Sequence, residues 1–423
     1  MSEEIVRVFE RLPALFDASE PLKRRSARAR FVLLLEAGAE KRRLRLEPGA
    51  LSLETADGPM DGWNLALRAE PQAWLDHWAT VPRPDAADLF GMARHGRLKI
   101  EGDFLPLMQH LQLVKDILAL PRPTPGKAAR LDTGPAGKSG PTEPSFDPII
   151  GRYLRLQIGG EPHRLYVEEA GKGIPLLCLH TAGADGRQYR GLMLDPKVTD
   201  RFRVIAFDMP WHGKSSPPEG YQDREYKLST ADYVGQILAV CDALELDRPV
   251  VLGCSIGGRI VLQLAADHPD RFRGLIGAQG AAWQAPWYDT DWLHRPDVHG
   301  GEVCAALISG NTAPGGPPAE LHETLWHYMQ GGPGIFKGDL WFYRVDGDLR
   351  ETIKRIDTAR CPLTLMAGEY DFSCRPEDMQ ATADAIPGCD AIRMEGLGHF
   401  PMSENYEQFA TYLHPVLERI AAG

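Results

Sequence analysis

The sequence predicts two domains: a small α+β domain, then a larger α/β domain built on a mostly parallel sheet. Three observations carry this. Residues 121–148 hold seven prolines and four glycines in 28 residues without apolar periodicity, the composition of a linker. Before them, helix-spaced and alternating segments are mixed. After them, short apolar runs alternate with helical stretches, the pattern of βα units. The expected organisation is therefore a domain over 1–120, a linker over 121–148 and a domain over 149–423.

In the first domain, Ile5, Val6, Phe9, Leu12 and Phe16 recur at helical spacing over Ser2–Phe16. Arg30–Glu36 reads as a strand. Leu44–Leu46 and Leu51–Leu53 alternate around Pro48-Gly49, a hairpin signal. Trp63–Leu67 alternates as well, Pro71–Trp78 suits a short helix, and Arg97–Ile100 suits a strand. Asp103 is placed as the N-cap of a helix running to about Leu120.

In the second domain, strands are expected at 175–179, 203–207, 249–253, 274–280, 362–367 and 391–394, and helices at 228–244, 256–268 and 377–385. Between Trp283 and about Arg360 the strand pattern stops. Five of the nine tryptophans fall there (Trp283, Trp287, Trp292, Trp326, Trp341), with Tyr288, Tyr328, Phe336 and Tyr343. Each is read first as packing and second as a wall for a bulky or apolar substrate. Asn311–Pro318 and Gly331–Gly334 read as loops or hinges.

Composition narrows the function. Of 423 residues, 43% are hydrophobic and 25% charged, which suits globular folding and excludes a disordered or fibrous chain. The net charge of −11 lacks the basic footprint of a nucleic-acid binder, so no nucleic-acid partner is expected. The first residues, MSEEIVRVFERLPALF, lack the apolar core of a secretory signal, and no run is apolar enough for a transmembrane segment. The seven cysteines have no C-x-x-C spacing and read as reduced thiols. The expected setting is cytoplasmic, with no metal.

In α/β sheets, chemistry collects at the carboxyl ends of the strands. Val250-Val251-Leu252 leads into Gly253-Cys254-Ser255-Ile256-Gly257-Gly258 and then a helical stretch. This is the strand–turn–helix setting that a G-x-S-x-G nucleophile requires, which makes Ser255 the candidate nucleophile over a capping serine. A serine needs a base, and the base an orienting carboxylate. His399 follows a candidate strand near the end of the chain. Asp371 follows the strand 362–367, with Glu369, Asp384 and Asp390 as rivals. Oxyanion donors are sought in the loop after 175–179 and in the residue after the nucleophile, which gives the N–H groups of Ala182 and Ile256. His180 is read as a loop anchor. Thr181, Trp283 and Phe400 are the candidate substrate contacts.

Gly96–Leu118 (GRLKIEGDFLPLMQHLQLVKDIL), with the order of elements around it, resembles the sterol-carrier-protein-2 (SCP2) family over about 110 residues. The resemblance implies a five-stranded sheet flanked by helices, with an apolar tunnel for a lipid or acyl ligand. Trp63, Trp74, Trp78, Phe90 and Phe104 are candidate tunnel walls, with core packing as the first reading of each. The basic runs 23–30 and 41–45 are read first as solvated faces and second as contacts to anionic lipid.

The second domain resembles the α/β-hydrolase superfamily. The resemblance rests on the G-x-S-x-G turn, the chain order Ser255, Asp371, His399, and Asp208-Met209-Pro210-Trp211-His212-Gly213-Lys214-Ser215, which is similar to that family's D-x-x-G-x-G-x-S. Trp211 and Thr181 replace glycines usual in the family, and the interval 284–360 corresponds to its helical cap. The resemblance implies a serine hydrolase acting on a small-molecule carboxylic ester, without a cofactor. Serine at 255 argues against dehalogenases and epoxide hydrolases, which place aspartate there. Cleavage of a carbon–carbon bond, as in the meta-cleavage-product hydrolases, is the alternative, with Arg187, Arg190, Arg295 and Arg344 as candidate carboxylate contacts. A lipid-binding protein with an inactive hydrolase domain is the reading from another class. Self-association to a homo-oligomer is a further role considered for the first domain.

Overall fold

The computed structural model describes residues 2–56, 58, 62–123, 144–286 and 289–423. Most of the linker stretch and the cap residues Trp287 and Tyr288 lie outside the described residues. The chain divides into two compact units, Met1–Gly134 with Arg295–Gly315, and Pro135–His294 with Gly316–Gly423. No helix among the described residues is long and apolar enough to cross a membrane.

The first unit holds a five-stranded sheet in the order β3-β2-β1-β4-β5, from Phe31–Ala37 (β1), Glu40–Glu47 (β2), Ala50–Thr55 (β3), Leu65–Ala69 (β4) and Leu98–Gly102 (β5). β1 and β4 run parallel and the other pairs antiparallel. β1 is central, and its FVLLLEA run is apolar on both faces accordingly. β2 alternates: Leu44 and Leu46 are buried, while Arg43 and Arg45 meet Glu54 at 2.7 and 3.2 Å. The single helix expected after Asp103 is two, Phe104–Gln109 and Leu111–Ala119, broken at His110, whose φ of −132° leaves the helical region. Asp103 caps the first, accepting from Leu105 N at 3.0 Å.

Arg295–Gly315 lies within the interval expected as cap, yet it packs with the first unit. Its helix Gly300–Ser309 lies on Leu111–Ala119. Lys115, 7% exposed, pairs with Asp88 at 2.7 Å and donates to Ala306 O at 2.7 Å. Gly310 lies against the Asp88 carboxylate so closely that a Cβ there would stand 2.2 Å from its carbon.

The second unit is built on an eight-stranded sheet in the order β13-β12-β11-β10-β8-β9-β7-β6. The strands are Ile150–Ile158 (β6), Glu161–Gly171 (β7), Ile174–Leu179 (β8), Phe202–Phe207 (β9), Val250–Cys254 (β10), Gly274–Ala278 (β11), Leu363–Gly368 (β12) and Asp390–Met394 (β13). β8 to β13 are mutually parallel, and β7 pairs antiparallel with both β6 and β9. The hairpin β6–β7 was not among the expected strands. Its turn is Gly159-Gly160, both with positive φ, a two-residue hairpin signal that the sequence does display. Leu176, Val204, Val250, Leu252, Ile276 and Met366 fill the core with Leu413 and Val416 of the helix Tyr406–Ala422. Each such side chain contributes about 1.5–3 kcal/mol on burial.

β10 pairs with β8, skipping β9. The chain therefore leaves β8 on one side of this point and β10 on the other. The crevice so opened at the carboxyl ends of the strands is where open α/β sheets take ligands.

Candidate active site

Ser255 stands between β10 and the helix Ile256–Asp267 with φ 59° and ψ −114°. A non-glycine residue there is strained, at a cost of order 1–3 kcal/mol. The strain is enforced by close packing. A Cβ on Gly253 would sit 2.0 Å from Gly257 O, one on Gly257 2.6 Å from Leu179 O, and one on Gly258 2.0 Å from Ala278 O. These three glycines let the helix start hard against the strands, and Ser255 is left at its N-terminus.

His399 lies in the loop after β13 and Asp371 in the loop after β12. His399 Nδ1 and Asp371 Oδ2 are 2.6 Å apart, both groups buried. Asp371 Oδ1 accepts from the Ser373 and Cys374 N–H groups at 2.8 and 2.9 Å, so each carboxylate oxygen is engaged. The rivals point elsewhere: Glu369 accepts from Gly396 N, Asp384 from Gln380, and Asp390 from Arg419. Among the described residues no hydrogen bond joins Ser255 to His399. Ser255 Oγ instead meets Tyr343 OH at 3.3 Å. Such contacts are often long in the absence of substrate. Cys254 is no rival nucleophile, because burial pushes its thiol well above the ordinary range.

The two loops are tied together by residues that sequence reasoning missed. Gln279, with φ 53° just past β11, donates to Gly398 O at 2.6 Å and accepts from Gly368 N at 3.0 Å. Glu404, fully buried, accepts from the Gly398 and Phe400 N–H groups. The Gln279 contacts span 119 and 89 residues of chain, so no local pattern announces them, while those of Glu404 stay within its own turn.

The loop after β8 carries Thr181 and Ala182. The Ala182 N–H has no hydrogen-bond partner among the described residues. That of Ile256 opens a helix, where the amide has no partner within the helix. Thr181 is fully buried, with its hydroxyl engaged by Gln188 at 3.1 Å and Tyr328 at 2.6 Å. His180 accepts from Met209 N at 3.2 Å through Nε2 and donates to Thr181 O through Nδ1. Burial and the adjacent His212 push its pKa down to about 4, so it is neutral.

Asp208 holds the turn after β9, accepting from Gly186 N and Lys214 N at 2.9 and 2.8 Å. Trp211 takes the left-handed conformation of the glycine it replaces, with φ 77°. Its ring tilts against Tyr226 at 5.4 Å, so the packing that this ring gains accompanies the backbone strain.

Phe400 packs edge-on to His399 at 4.9 Å and to Tyr328 at 5.5 Å, and Tyr328 continues to Phe336 at 5.4 Å. An aromatic row thus runs from the histidine to Phe336. Trp283 is not part of it: the ring is 40% exposed and carries Arg350 at 4.9 Å. Trp326 and Trp341 are exposed as well. A cavity of about 710 Å³ is lined by Trp211, Tyr226, Ile335, Trp341, Arg344 and Val345 among others. It takes in neighbours of Tyr343, but neither Ser255 nor His399 lines it. Among the described residues no cluster of ligating side chains suits a metal.

Residues 174–296 match the family model of the alpha/beta hydrolase fold. The second unit has the α/β-hydrolase fold. An esterase from Thermogutta terrifontis superposes with a TM-score of 0.56 at 20% identity, over 64% of this chain and 99% of that one. By sequence, the hydrolase-fold unit is similar to a 2-hydroxymuconate semialdehyde hydrolase of Pseudomonas sp. (strain CF600), 32% identical over 36% of this chain and 52% of that protein. It is also similar to a probable proline iminopeptidase of Leptolyngbya boryana, 26% identical over 57% of this chain and 86% of that protein. The match to the first of these spans about half of that relative's length.

Proposed function

We propose that the protein is a serine hydrolase that cleaves a carboxylic ester through an acyl-enzyme. The observation that carries this reading is the His399–Asp371 contact of 2.6 Å at the strand ends where Ser255 is held in its strained turn. His399 takes the proton of Ser255 as the oxygen attacks the carbonyl carbon. The oxyanion is held by the N–H groups of Ala182 and Ile256. Asp371 orients His399 and stabilises its cation. The proton passes to the departing alcohol, and water then repeats the sequence on the acyl-enzyme. Phe400 and the aromatic row beyond it favour an apolar acyl group. Thr181 contributes to the loop rather than to the substrate, since its hydroxyl is already engaged. A series of p-nitrophenyl esters of increasing chain length tests the reading, with turnover expected for at least one member.

Carbon–carbon cleavage is the second reading, favoured by the likeness to the semialdehyde hydrolase. Against it, Arg187 is paired to Asp185 at 2.7 Å and Arg190 to Glu168 at 2.5 Å, so neither stands ready for a substrate carboxylate. A vinylogous keto acid offered beside the esters decides between the two.

For the first unit we propose an SCP2-like fold that takes a lipid or acyl ligand. The five-stranded sheet and the order of its elements support the likeness. The tunnel is not made by Trp74 and Trp78. They stack on one another at 5.6 Å, pack against Phe9, and donate to Glu36 O and Leu118 O as core residues do. Trp63 is exposed. Displacement of a fluorescent fatty acid tests the proposal, and no saturable binding would reject it.

A further inference from the structure

The cap reaches Ser255 Oγ through Tyr343, whose hydroxyl stands 3.3 Å away. Tyr343 belongs to Phe342–Asp346, a turn of π-helix that follows the helix Ile335–Trp341. Such turns break helical register and recur at functional sites. The ring rests on Arg259, with the guanidinium carbon 3.9 Å from its centroid. Arg259 follows Ser255 by one helical turn and is fully buried. No carboxylate pairs with it among the described residues. It donates instead to Ala281 O at 2.9 Å and Gly347 O at 3.1 Å, and reaches Tyr343 O at 3.5 Å. A buried guanidinium without a carboxylate is costly. Here it fixes both the ring and the backbone of the residue whose hydroxyl meets Ser255 Oγ. Burial raises the Tyr343 pKa, so the phenol keeps its proton and can donate.

We propose that Tyr343 is a further catalytic residue, whose hydroxyl donates a hydrogen bond to the leaving-group oxygen in acylation and to the entering water in deacylation. The proposal rests on the serine-hydrolase reading. Once Oγ bonds to the carbonyl carbon, the leaving oxygen is attached to the same carbon. A donor that reaches Oγ in the free site therefore lies near the oxygens carried by that carbon. The backbone amides at 182 and 256 serve the oxyanion, which leaves the phenol for the other oxygen. The Ser255 proton goes to His399 Nε2 and from there to the departing oxygen as its bond to carbon breaks. The phenol proton stays on Tyr343. In deacylation the water oxygen enters where the alcohol left, as microscopic reversibility requires.

Tyr343→Phe keeps the ring on Arg259 and removes the hydroxyl. The test compares kcat/KM of this variant and the wild type on the methyl and p-nitrophenyl esters of one acid. It also compares the rate at which a fluorophosphonate labels Ser255. An alkoxide needs help to leave and p-nitrophenolate does not. The methyl ester should therefore lose about 10–100-fold and the p-nitrophenyl ester less than about threefold, with the thermal midpoint unchanged. Labelling, in which the readily departing fluoride needs no such help, should change less than about threefold. Equal losses on the two esters, or no loss, overturn the proposal. A wild type that turns over neither ester but is labelled at Ser255 removes the ester reading and, with it, the leaving oxygen that Tyr343 is to serve, whereas equal losses on the two esters overturn the Tyr343 role alone. A wild type that is not labelled overturns both.

Discussion

Asp339 Oδ2 accepts the backbone N–H of Gly183 at 2.7 Å, so a carboxylate of the helix Ile335–Trp341 grips the loop that follows β8. The same carboxylate meets His212 Nε2 at 2.8 Å and Tyr226 OH at 2.8 Å, and is itself fully buried. Asp339 thus fixes the loop proposed to supply an oxyanion donor.

This contact predicts a pH-dependent stability. Burial opposes a charge on His212, but the neighbouring Asp339 prevails and raises its pKa above the ordinary value. With the folded pKa raised, the stabilisation is complete below the unfolded value near 6.5 and fades as pH rises through the folded one. Asp339→Asn should therefore destabilise the protein most at pH below about 6.5. The gap to wild type should narrow with rising pH in denaturant unfolding, and a gap independent of pH would reject the ion pair.

Asp371→Asn should preserve the fold, because an amide oxygen still accepts from the Ser373 and Cys374 N–H groups. It should lower turnover by about 10⁴-fold, since the amide no longer holds the reactive tautomer of His399 or stabilises its cation. Turnover within tenfold of wild type, at an unchanged melting temperature, would remove Asp371 from the proposed chemistry.

Lys115→Met should destabilise the first unit by about 3 kcal/mol or more, because it leaves Asp88 buried beside an apolar chain. The helix Gly300–Ser309 also loses the donor to Ala306 O, so limited proteolysis within 295–315 should quicken. Unchanged stability and unchanged cleavage would show that this helix is held by its apolar face alone.

What the sequence disclosed follows the range over which each feature acts. The strand–turn–helix around Ser255 is written in adjacent residues, as apolar run, glycine, serine and two glycines, and the structure has that form. The parallel sheet is legible for the same reason, each βα unit being a local pattern. The β6–β7 hairpin was missed although Leu154, Leu156 and Ile158 alternate with Arg155 and Gln157 up to Gly159-Gly160, because it is an amphipathic antiparallel pair and lacks the continuous apolar runs by which the parallel strands stand out. The break at His110 was missed because the apolar spacing continues across it. Gln279 and Asp339 were illegible for a different reason, as was the contact of Tyr343 with Ser255. Each acts across tens of residues of chain, on partners that only the closed fold assembles. The tryptophans of the cap misdirect, since Trp283, Trp326 and Trp341 turn to the surface while tyrosine and phenylalanine pack beside His399.

The proposed nucleophile is tested most directly by Ser255→Ala. In the full chain we predict that a fluorophosphonate labels the wild type at Ser255 and leaves the variant unlabelled. Ester turnover should fall by about 10⁶-fold, as for triad serines elsewhere. Turnover that survives the substitution, or labelling at another residue, would contradict the account.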